Sequence, residues 1–121
     1  MRKIGSVPVF LVFLLLAAGC ATDVAGIYEN VLPAASGGGQ RHIRVTLRPD
    51  GFAAVTSAFT GRPSRFLAEG NWQRDGWRIT VTLEDKETMV FQHAGEELVA
   101  REWNRAVWGD AGPGVLTRVL R

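Results

Sequence analysis

Few side chains in this sequence have the chemistry of metal ligands. The candidates are His42, His93 and Met89, and a metal site needs at least three such groups in good geometry. Met89 and His93 share one strand face but are separated by roughly 13 Å of extended chain, which is too far for a single ion. We therefore expect no metal and no cofactor, with His42 facing solvent and His93 at a half-buried strand end.

The residues needed for nucleophilic catalysis are present but follow no recognised pattern. Ser57 or Ser64 would have to meet His42 or His93 together with an aspartate, and the sequence contains no nucleophile elbow. The acidic residues are scattered over predicted turns, where carboxylates favour turn formation and solvation. The sequence therefore predicts a protein that is not an enzyme.

The one cysteine, Cys20, follows the small residues that end an apolar segment. Arg2 and Lys3 precede this segment, which is too short to cross a bilayer as a stable helix and is typical of a signal peptide. The stretch Leu16-Ala17-Ala18-Gly19-Cys20 resembles a bacterial lipobox. This resemblance implies that Cys20 becomes the acylated first residue of the mature protein, and that a second lipid signal makes the attachment stable.

The residue after the cysteine bears on the destination. In enteric-type bacteria an aspartate next to the acylated cysteine marks retention in the inner membrane, but here that residue is Ala21, and Asp23 lies too far along. We expect an outer-membrane lipoprotein that faces the periplasm. The predicted division is a signal peptide over residues 1–19, a lipidated tether over residues 20–25 and one domain over residues 26–121.

The charge of the mature chain excludes a general affinity for polyanions. The predicted signal peptide holds two of the 14 Lys and Arg residues and none of the 12 Asp and Glu residues, so the remaining chain has no net charge. The basic isoelectric point belongs to the segment that is removed. Neither nucleic acid nor an anionic membrane surface is therefore indicated as a partner from bulk charge.

Alternation of apolar and polar residues predicts strands along the whole mature chain. From Arg41 to Arg48, the residues Ile43, Val45 and Leu47 occupy one face. The turn 49–51 and the run Phe52–Phe59 complete a hairpin. In the last predicted strand, 114–120, either Leu116 with Leu120 or Val115 with Val119 could face the core.

The turn signals predict how these strands connect. They recur about every ten residues and no helical period of useful length interrupts them, which is typical of antiparallel barrels and sandwiches. A first strand at residues 26–30 is predicted to end at Leu32-Pro33, and the glycine-rich segment 34–39 to form a flexible turn. We predict an all-β fold, a small antiparallel up-and-down, lipocalin-like barrel of about six to eight strands.

Four tryptophans flank two of the predicted connections. Trp72 and Trp77 border a hairpin turn, whereas Trp103 and Trp108 border the start of the long irregular segment 104–113. Indole rings commonly fill cores and close barrel ends while keeping a polar N–H for a partner. The alternative is a ligand mouth or protein contact, because tryptophan and arginine are enriched in binding hot spots. The candidate binding surface is Trp103, Arg105 and Trp108.

Short motifs along the mature chain resemble the N-terminal domain of NlpE-like lipoproteins. They are Gly26-Ile27-Tyr28 followed by Val31-Leu32-Pro33, a strand ending in Asp50-Gly51, and Gly70-Asn71-Trp72. The resemblance implies a lipocalin-like barrel on an outer-membrane lipid anchor. The family carries Cys-x-x-Cys after the Val-Leu-Pro, a pair suited to Cu(I) or redox chemistry. Ala34 and Gly37 stand there in this chain, so neither role carries over.

These observations favour a non-enzymatic binding or sensing module in envelope maintenance or stress response, with an envelope protein as partner. One alternative is an inhibitor of an envelope hydrolase, of the lysozyme- or protease-inhibitor type, that acts through an inserted loop. Another is a carrier of a small apolar ligand inside the barrel. A cavity within the barrel would favour the carrier, and an ordered protruding loop would favour the inhibitor.

Overall fold

A computed structural model describes residues 23–33, 39–61 and 65–121 of the chain. These residues form a closed barrel of eight antiparallel strands, in which each strand pairs with the next and the first pairs with the last. The strands are β1 (Gly26–Pro33), β2 (Gln40–Leu47), β3 (Phe52–Phe59), β4 (Arg65–Asp75), β5 (Arg78–Leu83), β6 (Thr88–Ala94), β7 (Glu97–Glu102) and β8 (Val115–Leu120). The predicted up-and-down barrel is confirmed.

The strand register follows the alternation in the sequence. Ile43, Val45 and Leu47 of β2 are at most 1% exposed. Val45 lies opposite Tyr28 of β1 and Val55 of β3, which are also fully buried. Burying one face of each strand fixes the register, because a slip of one residue would turn every apolar side chain outward.

Side chains from all eight strands fill the interior of the described barrel. The largest fully buried side chains include Tyr28, Phe91, Met89 and Leu98. In β8, Leu116 is buried whereas Val115 and Val119 are 43% and 55% exposed, so the inner face is the one that carries Leu116. Leu120 at the end of the same face is 61% exposed, so only Leu116 of the predicted pair lies in the core. The buried residues form one contiguous cluster, as expected of a single domain with one core.

Several element boundaries differ from the sequence expectation. β1 continues through Pro33, because Leu32 and Pro33 pair with Arg41 and Gln40 of β2. A short helix, α1 (Arg105–Trp108), lies in the segment predicted to be irregular. One turn is too short to produce a helical period in the sequence, and a local side-chain cap defines its start. No helix in the described part of the chain has the length and hydropathy needed to span a membrane.

The strand connections divide the barrel into two ends. The amino-terminal end comprises residues 23–25, the turns at 48–51, 76–77 and 95–96, and Arg121. The loop end comprises the described connections at 60–61, 84–87 and 103–114. Because neighbouring strands are antiparallel, successive connections alternate between these two ends.

Gly70 explains one of the short sequence motifs physically. A Cβ atom at this position would lie 1.9 Å from the carbonyl oxygen of Thr82 and 2.8 Å from the Cα of Leu83. The backbones of β4 and β5 therefore approach too closely for any side chain. Two residues later, Trp72 is buried and donates its indole N–H to the Arg48 carbonyl at 2.8 Å.

Candidate functional site

The connection between β7 and β8 carries the predicted binding surface, and its structure is fixed by side-chain hydrogen bonds. Asn104 caps α1, since its Oδ1 accepts from the backbone N–H of Ala106 at 2.9 Å. Trp103 Nε1 donates to the Gly109 carbonyl at 2.8 Å, and Asn104 Nδ2 donates to Glu87 Oε1 at 3.2 Å. The loop is therefore tied both to itself and to the neighbouring β5–β6 turn.

The three predicted surface residues have different environments. Trp108 is only 3% exposed, so its ring closes the loop end of the core, and Phe66 packs against it edge-on at 5.6 Å between ring centroids. Trp103 is half-buried against the core. The side chain of Arg105 is 73% exposed and lies 3.7 Å from Asp110. Whether this surface binds a partner stays a prediction, and Arg105 is its exposed member.

Arg41 of β2 is the residue that links the loop to the barrel. Its Nε donates to Ser57 Oγ at 2.8 Å, and its Nη2 and Nη1 donate to the carbonyls of Val107 at 3.2 Å and Trp108 at 3.5 Å. These carbonyls belong to the last turn of α1, which has no intrahelical donors for them. The guanidinium also stacks on the rings of Trp108 and Phe59, at 4.7 Å and 5.3 Å from their centroids.

The charge of Arg41 has no acidic partner. Every aspartate and glutamate of the chain lies in the described residues, and none of them forms an ion pair with this guanidinium. Burial lowers the pKa of Arg41, because desolvation disfavours its charged form. An arginine stays protonated at neutral pH, so the loop end holds a partly desolvated, uncompensated positive charge.

Two polar side-chain atoms at the loop end are buried without a hydrogen-bond partner among the described residues. They are the indole Nε1 of Trp108 and the Oε2 of Glu87. Buried donors and acceptors without partners are rare in native proteins and cost about 1–3 kcal/mol each. The loop end therefore contains an unused donor on Trp108, whose ring lies under the Arg41 guanidinium, and an unused acceptor on Glu87 in the β5–β6 turn.

The sequence was not read as placing Arg41 in the site, and Ser57 was considered only as a nucleophile, although the pattern places both side chains inward. Arg41 precedes Ile43 by two residues, and Ser57 follows Val55 by two, so the period of β2 and β3 already places both on the inner face. Ser57 is 3% exposed. Its hydroxyl accepts from Arg41, whereas the ring of His42 lies beside Thr60 Oγ1, so the predicted pairing of Ser57 with His42 is not formed among the described residues. Ser64 lies outside the described residues.

A second inward-facing arginine, Arg118, holds the amino-terminal end together. Its Nη1 donates to the carbonyls of Asp23 at 2.8 Å and Ala25 at 3.0 Å. Its Nη2 and Nε donate to Glu96 at 2.6 Å and 3.2 Å, and its guanidinium lies 5.5 Å from the Tyr28 ring centroid. With its side chain 3% exposed, Arg118 clamps the segment before β1 against β8 and the β6–β7 turn.

The geometry of this clamp accounts for Gly26 and Tyr28 of the first sequence motif. A Cβ atom at Gly26 would lie 2.7 Å from both the Cδ of Arg118 and the carbonyl oxygen of Leu120, so only glycine fits where the arginine crosses. The Tyr28 hydroxyl donates to the Val24 carbonyl. Hydrogen bonds from Arg118 hold the pKa of Glu96 below its usual range and raise the pKa of Arg118, whereas burial raises the pKa of Tyr28.

The residues considered for metal binding lie apart. His42 is exposed beside Thr60 Oγ1 at 3.3 Å, whereas Met89 is fully buried in β6. His93 is half-buried, and burial followed by the charge of Arg74 lowers its pKa. No group of three His, Cys, Asp or Glu in the described ranges is placed to hold a metal ion. Cys20, the predicted acylation site, and the positions 34 and 37 lie outside those ranges.

No family model and no curated protein matches the chain. Solved structures do match. The barrel is similar to NlpE, the Cpx pathway activator of Escherichia coli, with a TM-score of 0.57 and 23% identity over 64% of this chain and 42% of NlpE. It is also similar to the lipoprotein YedD of Klebsiella pneumoniae, with a TM-score of 0.58 and 11% identity over 81% of this chain and 73% of YedD.

A third similar structure is a predicted lipoprotein of Shewanella oneidensis, with a TM-score of 0.52 and 26% identity over 80% of this chain and 90% of that protein. The predicted NlpE-like lipoprotein fold is therefore confirmed. The chain spans less than half of the length of NlpE, so the likeness concerns only part of that protein.

Proposed function

We propose that this protein is an outer-membrane lipoprotein, acylated at Cys20 and facing the periplasm, that binds an envelope protein in envelope maintenance or stress sensing. It acts without catalysing a reaction. The lipobox-like sequence and the similarity of the barrel to lipoproteins support the anchor. The proposed connection to stress sensing draws on NlpE, which is described as an activator of the Cpx pathway.

The two ends of the barrel have different roles in this proposal. Arg118 fixes the backbone of Asp23 and Ala25 at the amino-terminal end, so the route to Cys20 leaves the barrel there. The loop end is then directed away from the membrane. It presents the exposed Arg105 and the tied loop at 103–114 to the periplasm, where a partner protein can reach them.

The observation that carries the binding proposal is the uncompensated charge of Arg41. A desolvated cation without an acidic partner lowers stability, whereas a carboxylate from another protein would restore the missing pairing. Three donations from its guanidinium are used inside the barrel, which leaves further N–H groups for such a carboxylate. The partner surface is therefore expected to carry an exposed Asp or Glu, with apolar groups for the half-buried Trp103 ring.

Site-specific photocrosslinking in intact envelopes tests the binding proposal. A photoreactive phenylalanine analogue replaces Arg105 in one variant and Arg78 in the control, which is also exposed but lies at the amino-terminal end. We expect a discrete protein adduct at position 105 that is absent at position 78 and lost when Arg41→Met is added. Equal adducts at both positions, or an adduct that ignores Arg41→Met, would contradict the proposal.

The anchor is tested separately with Cys20→Ser. We expect the wild-type protein to incorporate a fatty-acid analogue during metabolic labelling and the variant to lose this label and accumulate as precursor. We expect membrane fractionation to recover the acylated protein with the outer membrane. A wild-type protein that takes up no label, or a variant that labels equally, would remove the basis for the localisation.

A second candidate function is inhibition of an envelope hydrolase. It is favoured by the hydrogen-bonded loop between β7 and β8, whose Arg105 and Asp110 side chains are 73% and 94% exposed. A preorganised loop loses little conformational entropy on binding, as inhibitor loops require. Activity assays of lysozyme and periplasmic proteases with the purified protein separate this function from sensing. The carrier function has less support, because side chains fill the described core.

A further inference from the structure

Large apolar side chains are exposed on the rim of the amino-terminal end. Val119 and Leu120, at the end of β8, are 55% and 61% exposed, and Trp77, in the turn between β4 and β5, is 54% exposed. β4 and β5 do not adjoin β8 in the barrel, so these residues lie on different sides of the rim. A wide, deformable surface can contact these three side chains at the same time, whereas a partner that covers only one side of the rim cannot.

The length of the tether limits what this rim can face. Arg118 holds the Asp23 carbonyl in place, and the three Cα–Cα steps from Asp23 back to Cys20 span at most roughly 10 Å. An acyl group on Cys20 would therefore hold the bilayer surface next to this end of the barrel. This step rests on the proposed acylation.

We propose that the amino-terminal end is a membrane-contact face that docks on the phospholipid interface. Trp77, Val119 and Leu120 enter the interfacial region, where tryptophan is enriched because its ring is apolar and its N–H is polar. The barrel then stands on the membrane with the loop end outward. The lipid and the protein rim together set this orientation.

A cleft beside the tether matches the chemistry of a phospholipid. It has a volume of about 630 Å³ and is lined by Ile27, Pro49 and Leu120 together with Arg48 and Arg121. The apolar side chains suit an acyl chain, and the guanidinium groups suit a phosphate. Such a cleft can accept one lipid molecule of the bilayer at its mouth.

The charges near the cleft indicate that docking depends mainly on apolar contact. Arg48 pairs with Asp50 at 2.7 Å, Arg121 pairs with Glu96 at 2.9 Å, and Asp23 also lines the cleft. These carboxylates largely offset the arginines, in agreement with the absence of net charge in the predicted mature chain. We therefore expect docking on neutral phosphatidylcholine as well as on phosphatidylglycerol.

Fluorescence quenching by brominated phospholipids tests this face in the full acylated protein. Vesicles of phosphatidylcholine brominated near the top of the acyl chain, with and without phosphatidylglycerol, quench tryptophans that lie at that depth. We expect quenching of the wild-type protein, loss of most of it in Trp77→Ser, and full retention in Trp103→Phe, the matched change at the loop end. Thermal melts check that both variants are folded.

The outcomes distinguish failure of the membrane-contact face from failure of the proposed acylation at Cys20. If the mass of the purified protein shows no acyl group, the proposed anchor fails, and the membrane-contact face fails with it. If the protein is acylated but is not quenched, or if Trp77→Ser and Trp103→Phe lose quenching equally, only the membrane-contact face is overturned. A photoreactive residue at position 77 that captures a protein instead of lipid in intact envelopes would also overturn it.

Discussion

The two inward-facing arginines, one at each end of the barrel, have opposite electrostatic surroundings. Arg118 finds a carboxylate, two backbone carbonyls and an aromatic ring, and its side chain is 3% exposed. Arg41 finds carbonyls, a hydroxyl and aromatic rings, but no carboxylate. The charge of Arg118 is paired within the chain, and this pairing stabilises the fold. The charge of Arg41 has no carboxylate partner and can pair with one on another molecule, which is why we assign binding to the loop end.

The largest expected effect comes from a substitution in the core of the barrel, between the two ends. Val45 is fully buried in β2, so Val45→Asp places an unpaired carboxylate in the core and should cost about 4 kcal/mol of unfolding free energy or prevent folding. Arg44→Asp changes the outer face and loses an exposed ion pair with Glu29, at a cost of up to about 1 kcal/mol. Denaturant melts that give equal losses would contradict the register.

Arg118→Met sharpens the comparison at the amino-terminal end. The methionine keeps apolar contact with Tyr28 but loses the hydrogen bonds to Asp23, Ala25 and Glu96, and we expect a loss of about 2 kcal/mol in the free energy of unfolding. Arg121→Met is the matched control, because that arginine also bonds Glu96 but is 68% exposed, and it should change stability by less than about 1 kcal/mol. Chemical denaturation measures both.

Arg41→Met should affect the loop end locally. The variant loses the hydrogen bonds to the end of α1, but it also removes a buried charge without an acidic partner, so these contributions oppose each other. We expect a global change of less than about 1 kcal/mol, with faster hydrogen exchange at the Gly109 amide, which bonds the Arg105 carbonyl. A global loss as large as that of Arg118→Met would show that the two ends do not differ.

The smallest expected effect is a pH dependence confined to the amino-terminal end. Hydrogen bonds from Arg118 lower the folded-state pKa of Glu96, so the associated stabilisation is present above the unfolded pKa of about 4.3. It is lost as the pH falls through the lower folded-state pKa. We expect Glu96→Gln to weaken this acid-induced loss of stability in melts between pH 6 and 3, and Glu97→Gln to leave it unchanged.

Much of the fold followed from local pattern, and parts of the site could have followed from it too. The two-residue period of β2 placed Ile43, Val45 and Leu47 inward, and the same period extended backward places Arg41 with them. In β8 the period that buries Leu116 also buries Arg118. The pattern gives the face of each arginine, but it does not give the groups that the arginine meets inside the barrel.

The sequence by itself determined the strands, their inner faces, the turns between them and the cysteine that is predicted to carry lipid. These features depend on residues within a few positions of each other, because side chains alternate along a strand and turns are short. Only the tertiary structure decided that Arg41 meets the carbonyls of α1, which lie 66 and 67 residues away, and that Arg118 meets those of Asp23 and Ala25. Barrel closure brings such distant groups together, and the contacts they make depend on pairing across the whole sheet.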